Sequence, residues 1–481
     1  MYDAPRLRIL ERNEDELILE KCYQVLTRKG VRVEYQPALD LLKNAGAAVD
    51  EKSQTVRFSF KQIEDALKSA PSSFTVKGSR EDRDFALPHP EGSYYTSTCI
   101  QTMRYHDPDS GDFRDVTAES LAEWTMLAEK LPNIHKIAMQ TPCDVPQSTA
   151  DVHSLYIHLR HATKPLMVLA YCPETVDFLF ELMLARAGSE EALAERPMLL
   201  TYPTAFSPLR FKPMDMETIF KSCRYGIPIV VNSLAISGAT APVTVAGTVL
   251  LAAAEILAMI VMTQLVKPGT PVVASVYTTS MDMATGNALL GNADGMLARA
   301  AAAQFIKRNF GVPVETFSFM TDSYLSDGQA MVEKSLMPAL LDLSGSDIQY
   351  GSGRLGGASF ASPVQLVIDD ELYTVIGRCN SIPEITEETL AIREIMDLNL
   401  DEDFFTTDHT IRHCRDNIRP ELFVAESYDT WKEKGANSLY ERAVERYREL
   451  RKDLKPPDIP ADRLKDMESV VKTADKQLNT G

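Results

Sequence analysis

One carboxylate, Glu255, stands alone in a long apolar run between residues 243 and 266. Burying a carboxylate as a charge costs several kcal/mol, so it must find hydrogen-bond donors or stay protonated. The residue type allows two roles: an acid or hydrogen-bonding group at a reaction site, or a structural carboxylate that caps a neighbouring loop. The sequence leaves both open, and Glu255 is carried forward as the candidate catalytic residue.

Large aromatic side chains lie near the ends of predicted strands. A group of aromatic faces binds a quaternary ammonium through cation–π attraction, worth roughly 0.5–2 kcal/mol per ring. Packing in the core is the competing explanation for any one ring. The predicted cation-binding set is Tyr94, Tyr95, Tyr277, Phe317, Phe319, Tyr350 and Phe360, with Tyr324 close to it in the chain.

The glycine-rich segment GSGRLGGASFASP (351–363) follows a predicted strand. Its glycines allow the backbone to approach a ligand closely. Arg354 could hold a substrate carboxylate as a bidentate donor, and we assign it to substrate binding. Phosphate binding and a plain surface loop remain open alternatives for the same segment.

Three histidines, His153, His158 and His161, lie in DVHSLYIHLRH. The last two, three residues apart, could share one face of a helix as metal ligands do. There is no HExxH motif and no cysteine at ligand spacing. The sequence therefore predicts no metal in this chain.

Strand-like runs alternate with helix-like runs along the middle of the chain. Because seven such repeats follow one another with short loops, we predict an α/β fold of the (β/α)8 TIM-barrel type with one strand unassigned. No GxGxxG follows a first strand, which disfavours a dinucleotide-binding sheet. The predicted strands are at 134–141, 165–171, 197–203, 227–232, 271–277, 313–319 and 347–353, and the helices at 150–162, 174–187, 215–225, 243–266, 293–309 and 328–343.

Additions flank the predicted barrel. Residues 1–120 are expected to form an N-terminal α+β extension with a hairpin that begins at residue 93. The barrel is expected to occupy residues 121–395, and a helical C-terminal extension residues 396–481, the last part being a strap or partly disordered. In a TIM barrel, sites lie at the carboxyl ends of the strands, where the aromatic residues and Arg354 fall.

Composition narrows the possible partners. The 481 residues carry a net charge of −18, which argues against nucleic acid or an anionic membrane, since both need basic surface. Seven scattered cysteines without a CxxC pair indicate a reducing compartment, and the N-terminus shows no apolar signal core. We therefore expect a cytoplasmic protein. The apolar run at 243–266 is long enough to span a bilayer, but its central Glu255 favours a buried barrel helix.

Several longer motifs are similar to those of the trimethylamine methyltransferase superfamily. They are SPL (207–209), RYGIPIVVNSLAISGATAPVTVAGTVL (224–250), AEIL (254–257), TDSYLSDGQAMVEKS (321–335) and YGSGRLG (350–356). The resemblance covers about residues 15 to 400. It implies a TIM barrel that passes a methyl group from an amine to the Co(I) centre of a separate corrinoid protein.

The founding members of that family carry pyrrolysine just before the motif resembling TDSYLSD. In this chain that position falls at or beside Phe319, where every residue is an ordinary one. A neutral tertiary amine needs activation before its methyl group can be attacked, whereas a quaternary ammonium departs as a neutral amine. The resemblance thus implies the non-pyrrolysine branch and a quaternary-amine substrate: glycine betaine first, with proline betaine, carnitine and γ-butyrobetaine open.

In this interpretation the aromatic group holds the trimethylammonium, Arg354 holds the carboxylate, and Glu255 with Ser237–Ala239 shapes the barrel mouth. The chain shows no B12-binding DxHxxG loop, so the corrinoid (cobalamin) is expected on a cognate partner protein in one-carbon metabolism such as methanogenesis. A homo-oligomer is also expected. Two alternatives stay open: a TIM-barrel lyase or isomerase acting on a phosphorylated substrate, and a non-catalytic betaine-binding or corrinoid-handling protein.

Overall fold

A computed structural model describes residues 7–479 and contains a nearly closed barrel of eight parallel strands. Each strand pairs with the next in chain order, and the last pairs with the first. The first two meet only through a bridge between Ser97 and Lys136. The strands are β1 (Tyr95–Thr98), β2 (Ile137–Ala138), β3 (Leu166–Val168), β4 (Leu199–Thr201), β5 (Ile229–Ser233), β6 (Val272–Val276), β7 (Val314–Phe317) and β8 (Ile348–Ser352).

One helix follows each strand and returns along the outside of the barrel. This is the order of a (β/α)8 fold, so the predicted TIM barrel is confirmed. The helices are α1 (Ala118–Lys130), α2 (Ala150–His161), α3 (Val176–Ala187), α4 (Pro213–Tyr225), α5 (Val245–Val266), α6 (Ala293–Asn309), α7 (Gly328–Leu343) and α8 (Pro363–Asn380).

The strand that the sequence left unassigned is β1. We predicted a hairpin over this region, and a hairpin does form, but only between Arg104–His106 and Phe113–Asp115. Tyr95–Thr98 instead lies between β8 and β2 with all four residues buried. Its sequence, YTST, is short and polar, so it lacks the apolar run that marks a strand buried on both faces. The predicted boundary at residue 120 therefore leaves β1 outside the barrel that it helps to close.

Two small sheets stand on the loops at the carboxyl ends of the strands. The first joins Arg354–Leu355 and Phe360–Ala361 to the hairpin Arg104–His106 and Phe113–Asp115. The second joins Ile236–Ser237, Thr279–Met281 and Ala288–Leu289, and Thr204–Ala205 extends the pairing of β5. These sheets fix the loops around the mouth of the barrel.

The N-terminal extension packs its helices on α5 and pairs its sheet with the loop after β4. Val31–Val33 runs parallel to Arg210–Phe211, which places the extension beside this loop. Its helices are Arg12–Gln24, Val25–Lys29 (π), Gln36–Asn44, Phe60–Ser69 and Glu81–Arg83 (3-10), and its strands are Val31–Val33, Ala48–Asp50, Thr55–Arg57, Phe74–Val76 and Phe85–Leu87.

The C-terminal extension is helical, as predicted, and its two long helices bind the barrel as straps. Leu439–Arg451 packs on α8 and α1, and Ala461–Leu478 packs on α3 and α2. The shorter helices are Glu387–Leu390, Ile392–Asp397, Asp408–His413 and Tyr428–Glu433; further short helices within the barrel loops are Gln147–Thr149, Pro173–Thr175 and Glu190–Glu195.

Helix α5 is long and apolar enough to cross a membrane, but it is a core helix of the barrel. Of its most apolar stretch, 72% is buried within the protein. It packs against α6, β5 and helices of the N-terminal extension. Most of its apolar residues are therefore covered by protein.

The barrel interior contains a buried ion pair between Lys136, just before β2, and Glu315 of β7. Neither side chain has any exposed surface. Lys136 also lies 3.4 Å from the Met167 sulfur, while one carboxylate oxygen of Glu315 has no hydrogen-bond partner. Each charge thus depends on the other, because the apolar surroundings offer little else to stabilise it.

Replacing one member of this pair should therefore cost more than replacing both. We expect Lys136→Met to lower the free energy of unfolding by about 3–5 kcal/mol, since it leaves Glu315 buried and uncompensated. The double change Lys136→Met with Glu315→Leu should recover most of that loss. Urea unfolding of the three proteins measures the difference; equal losses in the single and double variants would contradict the dependence of each charge on the other.

Candidate active site

Three aromatic rings meet where β6, β7 and β8 end. The rings of Tyr277 and Phe317 stack with centroids 3.4 Å apart, and Tyr350 meets Phe317 edge-on at 3.7 Å. Adjacent parallel strands bring their carboxyl ends to one edge of the barrel, which is why residues far apart in sequence converge here. Phe317 and Tyr350 are fully buried and Tyr277 is partly exposed. We call these three rings the aromatic cluster.

A chain of hydroxyl groups continues from the cluster into the barrel. The Tyr350 hydroxyl lies 3.1 Å from that of Tyr202, which in turn lies 2.7 Å from the Ser275 hydroxyl. Burial raises the pKa of both tyrosines well above the usual value, so the phenols stay neutral. The cluster and the hydroxyl chain therefore consist of uncharged aromatic rings and polar hydroxyl groups.

The guanidinium of Arg354 lies beside the cluster, with its central carbon 5.7 Å from the Phe317 ring centroid. Only 2% of the residue is exposed. It donates a hydrogen bond to the carbonyl of Ile100, and its Nε has no partner. Within residues 7–479, no carboxylate forms an ion pair with it. A buried cation without an anion is costly, which marks this position as one suited to an anionic group of a ligand.

A second buried ion pair holds the backbone next to Arg354. Asp369 of α8 accepts hydrogen bonds from Lys334 at 2.8 Å and from the Gly353 backbone N–H at 2.7 Å. Lys334 also donates to the Phe319 carbonyl at 2.7 Å. Gly353 has a φ of 81°, and a Cβ there would lie 2.4 Å from Trp124, so only glycine fits. This pair thereby joins the loops after β7 and β8.

The glycine-rich loop does not present free amides to a phosphate. The Gly356 N–H donates to the Ser323 carbonyl at 2.7 Å, and the Gly357 N–H donates to the Thr321 carbonyl at 2.8 Å. With Gly353 bound to Asp369, the glycine donors are used to fix the loop. The phosphate-binding alternative for this segment therefore loses the donors on which it depends.

Two residues of the predicted cation-binding set lie outside the ring of barrel strands. Phe319 and Tyr94 are fully buried in the layer between strands and outer helices, and the Tyr94 ring packs edge-on against Tyr373 at 5.0 Å. Neither ring contacts the aromatic cluster. In this structure both rings are packed in the core and neither adds a face to the cluster, so their assignment to cation binding stays a prediction.

Two further predicted residues are displaced from the cluster along the barrel axis. Tyr95 begins β1 at the opposite end of the barrel, where it packs on Phe85 at 4.3 Å and on His135 at 5.1 Å. Phe360 lies in the small sheet above the mouth, with Phe113 at 4.7 Å and Tyr324 at 5.6 Å. Of the predicted substrate-binding set, the structure thus brings together Tyr277, Phe317, Tyr350 and Arg354.

Glu255 is buried between α5 and the strands, and donors occupy both of its oxygens. It accepts hydrogen bonds from the hydroxyls of Ser207 at 2.8 Å and Ser233 at 2.6 Å, and from the Leu209 N–H at 2.8 Å. Leu209 has a φ of 58°, a conformation that this bond helps to hold. Burial raises the pKa of Glu255 in spite of these donors. These contacts favour a positioning role, in which the carboxylate holds the loop between β4 and α4, and the predicted catalytic role of Glu255 stays a prediction.

The three histidines considered as metal ligands have separate partners. His158 is fully buried and contacts the Thr125 hydroxyl at 2.9 Å, and the His161 ring lies 2.7 Å from the Ile157 carbonyl. His153 faces Asp475 at 3.0 Å. These three side chains do not share a ligand position.

The comparisons with known proteins agree with this architecture. The family model of trimethylamine methyltransferase (MTTB) matches residues 2–479. The chain belongs to this family.

The family includes relatives with two different named substrates. A trimethylamine methyltransferase MttB from Desulfitobacterium hafniense is 27% identical over 94% of this chain and 91% of that protein. Its counterpart from Methanosarcina barkeri is 29% identical over 98% and 96%. A glycine betaine methyltransferase from D. hafniense is 25% identical over 94% of both chains. The chain is thus a methyltransferase of this family.

The solved structures show the same fold. The monomethylamine methyltransferase MtmB of M. barkeri superposes with a TM-score of 0.50 at 11% identity, and a hydroxylamine complex of MtmB with 0.52 at 10% identity. Both cover 94% of each chain. At this identity the likeness supports the barrel and its extensions.

The sequence did not predict the polar residues that line a cleft at the mouth of the barrel. A cleft of about 370 Å³ opens between the loops after β1, β3, β4 and β5, and its lining includes Tyr171, Lys212 and Asp215. Burial raises the pKa of Asp215 to about 6, although its carboxylate accepts the Thr204 N–H. Each of these residues looks ordinary in its segment, and only the closed barrel brings them to one cleft.

Two substitutions separate a positioning role of Glu255 from a catalytic one. Glu255→Gln should keep the fold and the methyl-transfer rate within a few-fold, because the amide oxygen can accept the Leu209 N–H while the amide N–H groups donate to the serine hydroxyls. Glu255→Ala should lower the free energy of unfolding by roughly 2–4 kcal/mol, since it leaves buried donors unpaired. Urea unfolding and turnover are the measurements; a folded Glu255→Gln protein without activity would support the catalytic role.

Proposed function

We propose that this methyltransferase demethylates a quaternary amine that carries a carboxylate, with glycine betaine as the first candidate. The methyl acceptor is the Co(I) centre of a corrinoid carried by a separate protein. Proline betaine, carnitine and γ-butyrobetaine have the same two recognition groups. The protein would act in one-carbon metabolism in the cytoplasm.

The observation that carries the proposal is the buried guanidinium of Arg354 beside the aromatic cluster. A betaine has one cationic and one anionic end. The partly exposed ring of Tyr277, with Phe317 stacked against it, suits the trimethylammonium, since a quaternary nitrogen has no hydrogen to donate and is bound by cation–π attraction. The guanidinium suits the carboxylate, which would supply the anion that Arg354 lacks. Trimethylamine has no group to fill that role.

The proposed methyl transfer needs no acid or base catalyst. A corrinoid on a partner protein would supply the nucleophile for one methyl carbon, and the electron pair of the broken C–N bond would stay on nitrogen. The product amine leaves neutral and no proton moves. The residues of this chain therefore act by holding the cation with one methyl group directed to the mouth, which is catalysis by positioning. The neutral phenols of Tyr202 and Tyr350 fit this role, since neither offers a base.

The mouth also suits a methyl acceptor that arrives on another protein. The loops after β4, β5, β6 and β7 each expose a large apolar side chain: Phe206, Val243, Met283 and Tyr324. Apolar side chains exposed together around one opening are typical of a protein contact surface. The aromatic cluster lies below this rim, where a cobalt carried by a docked domain would have to reach.

The relatives are named for two different substrates, trimethylamine and glycine betaine. More of them are named for trimethylamine, and one is named for glycine betaine. The resemblance implies that trimethylamine enzymes rely on pyrrolysine, which this chain replaces with an ordinary residue at or beside Phe319. The choice between the two substrates then depends on Arg354.

A substrate panel tests the proposal directly. We expect the protein, supplied with free Co(I) cobalamin, to form methylated cobalamin from one betaine and not from trimethylamine, because only the betaine engages both the rings and the guanidinium. The visible spectrum of cobalamin reports the reaction. Activity with trimethylamine alone would contradict the substrate assignment, and no transfer from any amine to free or protein-borne corrinoid would contradict the reaction.

A variant of Arg354 tests the carboxylate site. Arg354→Met should raise the KM for glycine betaine by about 10- to 150-fold, the loss expected for a charge-assisted hydrogen bond worth about 1.5–3 kcal/mol. Tetramethylammonium, which has the cation without the carboxylate, serves as the control substrate and should react equally with both proteins. The unfolding midpoint should not fall, since the substitution removes an unpaired buried charge. An equal effect on both substrates would show that Arg354 only supports the fold.

A further inference from the structure

We propose that Glu388, His409 and His413 form a binding site for a divalent cation of the zinc type. The two histidines are four residues apart, and the helix Asp408–His413 places them on one face. Glu388 comes from the separate helix Glu387–Leu390. One ligand atom of each residue lies within 4.8 Å of the others. This site shares no residue with the aromatic cluster, and it lies in the segment that follows α8.

The orientation of His413 is that of a metal ligand. Its Nδ1 lies 2.6 Å from the carboxylate of Asp416, and its Nε2 points to Glu388 Oε1 at 3.4 Å. Metal-bound histidines usually donate their second ring N–H to such a carboxylate, which fixes the ring and leaves the other nitrogen free for the metal. The His409 ring lies 4.5 Å from that of His413, and its Nδ1 is buried without a hydrogen-bond partner.

The ligand atoms lie close enough to bind one cation after a small rotation of a side chain. Tetrahedral zinc binds histidine nitrogen and carboxylate oxygen at about 2.0–2.2 Å, so its ligand atoms lie about 3.3–3.5 Å apart. The pair His413–Glu388 already has this spacing. Glu388 is exposed and its helix is short, so a rotation of its side chain closes the remaining distance. Two histidines and one glutamate form a known zinc ligand set, with water as the fourth ligand.

Arg412 is the group that competes with a cation at this position. Its guanidinium lies 2.9 Å from Glu388 Oε1 and 3.6 Å from Glu394 Oε1. Arg412 and Glu388 are exposed and Glu394 is half-buried, and ion pairs near the surface contribute little to stability. Arg412 can keep Glu394 as its partner when Glu388 turns to the cation. The competition therefore weakens the site without blocking it.

The segment around this site has almost no apolar core, so a cross-link would stabilise it. Between Ser381 and Asn437, Leu422 is the only residue that is buried among those described. The helices Glu387–Leu390, Ile392–Asp397 and Asp408–His413 contain no buried residue. A segment without an apolar core is commonly held by a metal or another cross-link. A cation bound by Glu388 and the two histidines would join two of these helices across about 20 residues of chain.

Zinc binding to the full-length protein tests the proposal. Bound metal is first removed from the protein with a chelator. The metal-free protein is then titrated with Zn²⁺ in competition with a chromophoric chelator, whose absorbance reports the zinc that the protein does not bind. We expect one zinc per chain, and at least 100-fold weaker binding in the double variant His409→Ala with His413→Ala. Asp416→Asn should weaken binding by about 10- to 100-fold, since it removes the group that orients His413. The matched control is His153→Ala, another histidine beside a carboxylate, which should bind zinc as the wild type does.

Trypsin provides a second measurement. Arg412 and Arg415 lie in and next to the site, so zinc should slow cleavage there in the wild type and in His153→Ala, and should have no effect in the double variant. Equal zinc binding in the wild type and the double variant, or an equal loss in His153→Ala, would overturn the assignment. Neither measurement involves methyl transfer, so the result is independent of the proposed substrate.

Discussion

The arrangement of the mouth depends on one unbalanced charge, the buried guanidinium of Arg354. Water stabilises such a cation far better than protein does, so the fold must hold it in place by other contacts. The Ile100 carbonyl accepts one of its hydrogen bonds, and the Phe317 ring lies next to its central carbon. The ion pair of Lys334 and Asp369 fixes the backbone on which it stands. These contacts orient the cation without neutralising it.

The two buried ion pairs contribute in different ways to this arrangement. Lys136 and Glu315 join β2 to β7 across the barrel interior, so they hold the strands that end below the cleft and the aromatic cluster. Lys334 and Asp369 join loops outside the barrel, and they link the backbone after β7 to the backbone after β8. Each pair is costly to desolvate, and each connects elements that are far apart in the sequence.

The fold was predictable from the sequence because most barrel strands are continuous apolar runs that alternate with helices. The exception was β1, whose short polar sequence YTST resembles a hairpin arm until its neighbours β8 and β2 are known. The site was predictable only in part. Position at a strand end correctly placed Tyr277, Phe317, Tyr350 and Arg354 near one another. It could not tell that the rings of Tyr94, just before β1, and Phe319, just after β7, would pack between the strands and the outer helices, because the local sequence does not fix the direction of a side chain outside a strand.

Glu255 shows the same limit for a single polar residue. A lone carboxylate in an apolar helix indicates that donors are present, but it does not tell whether a ligand or the protein supplies them. Here the protein supplies three, from two serine hydroxyls and a backbone N–H. Arg354 is the opposite case, since the part of the chain described here gives it a carbonyl and a ring face but no anion. A buried polar group that the fold leaves incompletely paired is the stronger indication of a ligand.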